Sequence, residues 1–196
     1  MLEQKNAWIT SQIVLSSLIV VLSLFTAYIS YERSLASSAQ LRQNTAALRE
    51  LMLSTSSETM ANANYQFDLS NYSDAELATD DIQKTKYEVR YSEELQNAIA
   101  KNIDEPFSDE YFQKIFAESE QHRNEAEILF AAADGYSKRG NALQQIILIT
   151  TLGLGFVAWT SVIKNERNMI RIVFIAFACM TLVYGVYLLT QVPIVQ

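Results

Sequence analysis

Three stretches of this chain contain no Asp, Glu, Lys or Arg: Asn6 to Tyr31, Gly140 to Ile163, and Ile172 to Gln196. A helix rises about 1.5 Å per residue, so about 20 apolar residues match a hydrocarbon core about 30 Å thick. Each stretch is long enough to cross a bilayer as a helix. Buried helices of soluble proteins are shorter and carry one polar face. The first stretch also exceeds the apolar core of about 7 to 15 residues found in cleaved signal peptides, and no small-x-small cleavage site follows it closely. The expected fold is an all-α integral membrane protein with three transmembrane helices. The last two runs are separated only by residues 164–171, "KNERNMIR", which leave room for a tight hairpin turn and no more.

These limits divide the chain into an N-terminal transmembrane anchor helix, 1–31, an extramembrane domain between the first and second spans, 32–142, and a transmembrane hairpin, 143–196, with its turn at 164–171. The middle segment holds 20 acidic residues against 11 basic ones, a net charge of −9. Such a surface repels phosphate backbones, which argues against nucleic acid as a general partner. It attracts divalent cations and basic protein surfaces. The one cysteine, Cys179, lies in the third span and can form no intrachain disulfide, so it says nothing about the redox compartment.

The middle segment contains one proline, Pro106, and two glycines, Gly135 and Gly140, among many Ala, Glu, Gln, Leu and Lys, which favour helix. After Tyr31 the chain runs on as "ERSLASSAQLRQNTAALRELM", with Leu41, Leu48 and Leu51 at helical spacing, so the first span is expected to continue into the domain as one long helix. A looser polar and aromatic piece, "TSSETMANANYQFDLSNYSDAEL", is expected to follow. Ser73 and Glu76 make a capping-box pattern for a second helix. On that helix Ile82, Val89 and Ile103 share a face with Thr85, Ser92 and Ile99 beside it. Pro106 disfavours helix in the residue before it, and Ser108 can cap a last long helix whose Asp109 and Glu110 suit its N-terminal dipole. That helix carries Phe112, Ile115, Phe116, Leu129 and Phe130 and is expected to enter the membrane unbroken, with Gly135 and Gly140 as weak points. The domain therefore reads as helical and coiled-coil-like.

The layout, with "ANYQ" at Ala63 to Gln66 and "ALQQIILI" at Ala142 to Ile149, resembles a family of uncharacterised bacterial membrane proteins defined by a domain of unknown function. Those proteins have an N-terminal span, a helical domain and a C-terminal two-span hairpin. The resemblance implies a bacterial inner-membrane protein, with no known activity, catalytic residue or cofactor.

The residues themselves offer little chemistry. "AESEQHRNEAE" places Glu118, His122 and Glu125 on one helix face, and two carboxylates with an imidazole could hold a metal. A di-metal bundle, however, needs Glu-x-x-His on two helices and Glu from two more; this chain has one His and no Glu-x-x-His. A solvated helix face without metal is expected. "KTKYEVRYSEE" interleaves Lys84, Lys86 and Arg90 with Tyr87 and Tyr91, the one spot offering a ligand both charge and stacking surfaces, although Tyr at i and i+4 is also an ordinary packing pair. The sequon "NYS" at Asn71 is too short a match to carry weight. No Gly-rich phosphate loop, Cys pair, HExxH or Ser/His/Asp set occurs, so no enzyme and no cofactor are expected. Proton relays and coupled transporters mark their paths with intramembrane ionisable residues, and the three uncharged runs hold only Cys179.

One pattern stands out. Ser16, Ser23, Ser30, Ser37 and Asn44 recur every seven residues, with Val20, Ala27, Ser34, Leu41 and Leu48 at the neighbouring heptad position. On a supercoiled helix they form one stripe, and small hydroxylated residues let helices approach closely in lipid. The stripe can pack against the chain's own spans, form a contact or pore between subunits, or be fortuitous in a Ser-rich helix. For orientation, short loops outweigh long ones in the positive-inside rule. Lys164, Arg167 and Arg171 therefore place the turn in the cytoplasm and the domain on the non-cytoplasmic side. Trp8 and Trp159 then mark one interface, and Tyr28, Tyr31, Tyr184 and Tyr187 the other. The expected role is a membrane-anchored, self-associating scaffold whose acidic domain meets a protein partner. The alternative is an oligomeric channel or membrane-permeabilising effector gated by that domain.

Overall fold

The computed structural model describes residues 12–102, 104–163 and 168–195. Among them every regular element is a helix: α1 Gln12–Leu77, α2 Asp81–Glu88, α3 Glu93–Lys101, α4 Asp109–Val162 and α5 Asn168–Thr190. Three of these, α1, α4 and α5, are long and apolar enough to cross a membrane. Close packing divides the chain into two units, Met1–Gln43 with Ala131–Gln196, and Asn44–Phe130. Helices α1 and α4 contribute to both. The division falls inside the charged segment, about a dozen residues beyond the limits at Tyr31 and Ala142 expected from the sequence.

α1 extends further than its composition suggests. The piece from Thr55 to Leu77, read as loose, is helical throughout, and Ser73 lies within α1 instead of capping a new helix. Two causes act together. No Gly or Pro occurs between Gln12 and Leu77, and Ala47, Ser54, Ala61, Asp68 and Ala75 are buried at intervals of seven, so one stripe of this polar stretch packs inward. The preceding buried series, Leu15, Leu22, Ile29 and Ala36, also has a period of seven. From Ala36 to Ala47 the step is 7 plus 4, a stutter of the kind that locally unwinds a heptad seam; it coincides with the boundary at Gln43.

The first unit packs α1 against α4 and α5. Leu15, Leu22, Val157, Ile175 and Ala178 form one core cluster, and Ile29, Leu143 and Ile146 another. Close approach replaces bulk at two points: a Cβ on Gly153 would collide with Thr181, and one on Gly185 would press on Thr150 and Phe25. Thr26 Oγ1 donates to Thr150 Oγ1 at 2.9 Å, a polar tie between α1 and α4 in the apolar region. Just past the apolar runs, Arg139 and Glu32 form an ion pair at 3.0 Å. Gly135 and Gly140, the expected weak points, leave α4 unbroken.

In the second unit the helix expected from Ser73 to Ile103 is two short ones. α2 is capped by Asp80, whose side chain accepts from the Ile82 amide, and α3 by Ser92, whose side chain accepts from Leu95. The face expected to join Ile82, Val89, Thr85 and Ser92 does not form: Ile82 and Val89 are exposed, Ser92 adopts extended geometry as a cap, and Ile103 lies outside the described residues. The break follows from tertiary bonding, since the Ser92 amide and hydroxyl both donate to the buried Asp68 carboxylate, a geometry a continuous helix could not supply. Pro106 is buried between α3 and α4, and the Ser108 carbonyl accepts from the Phe112 amide as α4 begins.

Candidate functional site

The seam between α1 and α4 in the second unit is built from small residues on both sides, Ala47, Ser54 and Ala61 against Ser119 and Ala126, all buried. Small side chains let the two backbones come close enough for direct polar ties. Ser54 Oγ donates to the Ser119 carbonyl at 2.8 Å, and Arg123 reaches Glu58 at 3.1 Å. His122 Nδ1 stands 2.7 Å from Glu50 Oε2. Glu125, one turn along α4, brings a third ligand atom into this group, and Glu118 is not part of it. The sequence put His122 beside acidic neighbours on its own helix; its closest acidic partner lies 72 residues away on α1. The seven-residue spacing of small residues along α1 and α4 was the only signal that could have set these two helices in register.

A polar hub closes the end of the unit. Asp68 is fully buried and accepts from the Ser92 amide at 2.8 Å, from the Ser92 hydroxyl, and from the Tyr111 hydroxyl at 2.9 Å. Burial first, then the hydrogen bond to Asp68 and its charge, holds the Tyr111 phenol well above the ordinary tyrosine range. Around the hub Tyr65, Tyr72, Phe107, Tyr111 and Phe112 meet ring against ring at centroid separations of 5.3 to 5.7 Å. Edge and tilted contacts of this kind are worth about 0.5–1.5 kcal/mol each beyond burial.

Beside the hub lies an open cleft of about 630 Å³ walled by Tyr72, Glu76, Lys84, Glu88, Tyr91 and Ile99. It gathers only part of the expected ligand spot. Lys84 and Tyr91 line it, whereas Lys86, Tyr87 and Arg90 do not. Tyr72 and Tyr91 face each other at 6.2 Å, so an aromatic wall exists. The electrostatics oppose an anion: burial, then the charges of Glu88, Tyr72, Glu76 and Asp68, push the Tyr91 phenol up to about 12. The surroundings of that hydroxyl therefore disfavour negative charge on it.

The serine stripe is not an intrachain seam. Ser16, Ser23, Ser30 and Ser37 are exposed and Asn44 is half-buried. The packed series lies one residue earlier, at Leu15, Leu22, Ile29 and Ala36, about 100° around the helix. Space between α1, α4 and α5 is filled chiefly by Leu, Ile and Val, where Ser would leave voids. Continuing along α1 in the second unit, Leu48, Leu51 and Met52 are also exposed. Of the residues read as setting topology, Lys164 and Arg167 lie outside the described residues. Arg171 sits in the first turn of α5, not in a turn extending to it, and is buried. The chain matches no protein-family model, no curated protein and no solved structure.

Proposed function

We propose that the chain is a non-enzymatic, membrane-anchored helical scaffold that self-associates through the outer face of α1, with its acidic coiled-coil-like domain on the non-cytoplasmic side of a bacterial inner membrane. The observation that carries this reading is apolar exposure in a charged, water-facing segment. Leu48 and Met52 retain 54% and 73% of their exposure, and full burial of such a side chain is worth about 1.5–3 kcal/mol. Leu48 and Met52 stand one and five residues after the buried Ala47, as Ser16 and Val20 stand after the buried Leu15, the placing that a seam between copies of α1 would use on either side of the stutter. The acidic surface of residues 32–142 suits a basic protein partner. Trp159 at one end of the spans and Tyr28, Tyr31, Tyr184 and Tyr187 at the other are all exposed, in keeping with interfacial belts.

A second reading, a channel or permeabilising effector, draws on the same exposed serines, which in an oligomer would be available to line a pore. Mass measurement in detergent with Leu48→Glu/Met52→Glu tests the first reading: the wild type is expected to be oligomeric and the variant folded but monomeric. A wild-type monomer, or an unchanged oligomer in the variant, sinks it. Ion flux through liposomes containing the wild type would favour the second reading.

A further inference from the structure

The chain's one histidine sits where two carboxylates meet it. His122 and Glu125 are three residues apart on α4 and so leave the helix on the same side, while Glu50 approaches from α1. His122 Nδ1 and Glu50 Oε2 are 2.7 Å apart, and one ligand atom from each of the three residues lies within 4.8 Å of the others. The side chains of His122 and Glu50 are 22% and 20% exposed, so both are partly withdrawn from water. Glu125 is exposed, and Gln121 Nε2 donates to its Oε1 at 3.0 Å, which steadies the carboxylate and leaves its other oxygen available. We propose that Glu50, His122 and Glu125 form a binding site for a divalent transition metal of the zinc class, bridging α1 and α4.

The geometry suits such an ion. Zinc binds imidazole nitrogen at about 2.0–2.1 Å and carboxylate oxygen at about 2.0–2.2 Å, so donors around a tetrahedral ion stand about 3.3 Å apart. The 2.7 Å contact of His122 with Glu50, and the 4.8 Å within which all three ligand atoms fall, leave adjustments small enough for rotation about the glutamate side-chain bonds to supply. Two carboxylates neutralise the dication. The imidazole selects against calcium and magnesium, which take shells of oxygen. The solvent side of the group leaves a fourth position for water. The net charge of −9 over residues 32–142 raises the local cation concentration. A direct hydrogen bond between His122 Nδ1 and Glu50 is the competing arrangement; it makes no use of Glu125. A metal held from two helices fastens them together, so occupancy is coupled to the stability of this unit.

The test is calorimetric titration of zinc chloride into the full-length, tag-free protein in detergent, with cobalt(II) absorbance as a geometric readout. One equivalent per chain is expected, not displaced by equal magnesium or calcium. Affinity should fall about tenfold or more in Glu125→Gln and in His122→Ala. Zinc should raise the melting temperature of the wild type and not of the variants. Glu125 is exposed, so Glu125→Gln keeps the test decisive even if His122→Ala folds poorly. Absence of stoichiometric binding, or binding unaltered by Glu125→Gln in a folded protein, overturns the proposal.

Discussion

Tyr111 donates its hydroxyl hydrogen to the Asp68 carboxylate at 2.9 Å, across 43 residues of sequence and inside a fully packed hub. The same carboxylate takes both donors of Ser92, and Ser92 in turn caps α3. One side chain thus fixes the end of α1, the start of α3 and the start of α4. Removing it strands several donors away from water, at about 1–3 kcal/mol for each buried group left unsatisfied. Asp68→Ala should destabilise the second unit by about 3 kcal/mol or more. Tyr111→Phe, which loses one bond and keeps the ring contacts, should cost about half as much. Chemical denaturation followed by circular dichroism in detergent ranks the two; equal or negligible losses would show that the hub does not hold the unit together.

The two perturbed phenols give the unit a defined alkaline limit. Tyr91 is raised to about 12 and Tyr111 further, against about 10 for an unfolded tyrosine. In the folded state both stay neutral while the unfolded chain releases its protons, so the stabilisation is complete below about pH 10 and is lost as pH rises toward and through the folded values. Tyrosinate absorbance should lag behind that of exposed tyrosines and then appear together with loss of ellipticity. In Tyr91→Phe/Tyr111→Phe, stability should be lower at neutral pH and flatter between about pH 10 and 12. A slope equal to that of the wild type would show that other groups set the limit.

Glycines in the spans separate by their surroundings. A Cβ on Gly153 would stand 2.1 Å from Thr181 Oγ1 and 3.3 Å from its Cβ, and that hydroxyl is held by a bond to the Ala178 carbonyl at 2.8 Å. A Cβ on Gly155 would meet nothing within 4 Å. Gly153→Ala should therefore lower stability by about 1–3 kcal/mol through overpacking, with recovery in Gly153→Ala/Thr181→Ala. Gly155→Ala should be neutral or slightly stabilising, as helix propensity favours Ala. Thermal aggregation in one detergent compares all three, and equal behaviour of the two single variants would contradict the close approach of α4 and α5.

What could be read along the chain was what depends on composition: three apolar runs, the scarcity of helix breakers, the continuation of α1 past Tyr31 as far as Met52, and the unbroken course of α4. What could not be read depended on contact. A helix carries several seven-residue series at once, and Ser16 to Asn44 and Leu15 to Ala36 differ by one residue; only packing decides which faces inward. The Ser73–Glu76 capping pattern was real as chemistry but lost to a continuous buried stripe through Asp68 and Ala75. Glu50 had no local mark of its relation to His122.

That one-residue offset is itself testable. Leu22 is fully buried in the α1–α4–α5 core and Ser23 is exposed beside it. Leu22→Ala should cost about 2–5 kcal/mol as a cavity in packed helices, whatever the state of association. Ser23→Leu/Ser30→Leu should leave the fold of the single chain intact. If α1 faces another α1 across the serines, the added bulk and lost interhelical bonds, about 0.6 kcal/mol each on average, should dissolve the oligomer. Size-exclusion profile and melting measured together distinguish the cases. An unaltered profile in the serine variant would leave association to Leu48 and Met52 alone.

Orientation rests on the turn's positive charge, and the fold decides where to look for it. Lys164, Arg167 and Arg171 fall within eight residues of sequence between the last two uncharged runs, and short loops rich in Lys and Arg favour the cytoplasm. A reporter on the domain side must be reachable, which excludes the buried Asn71; Thr79, exposed between α1 and α2, is suited. In a Cys179→Ser background, Thr79→Cys should react with a membrane-impermeant thiol reagent in intact cells, and Asn165→Cys should react only after the membrane is opened. The converse pattern would place the acidic domain, and the His122 cluster with it, in the cytoplasm. The three helices able to cross a membrane would be unaffected, but any basic partner and any metal would then have to come from the cytoplasmic pool.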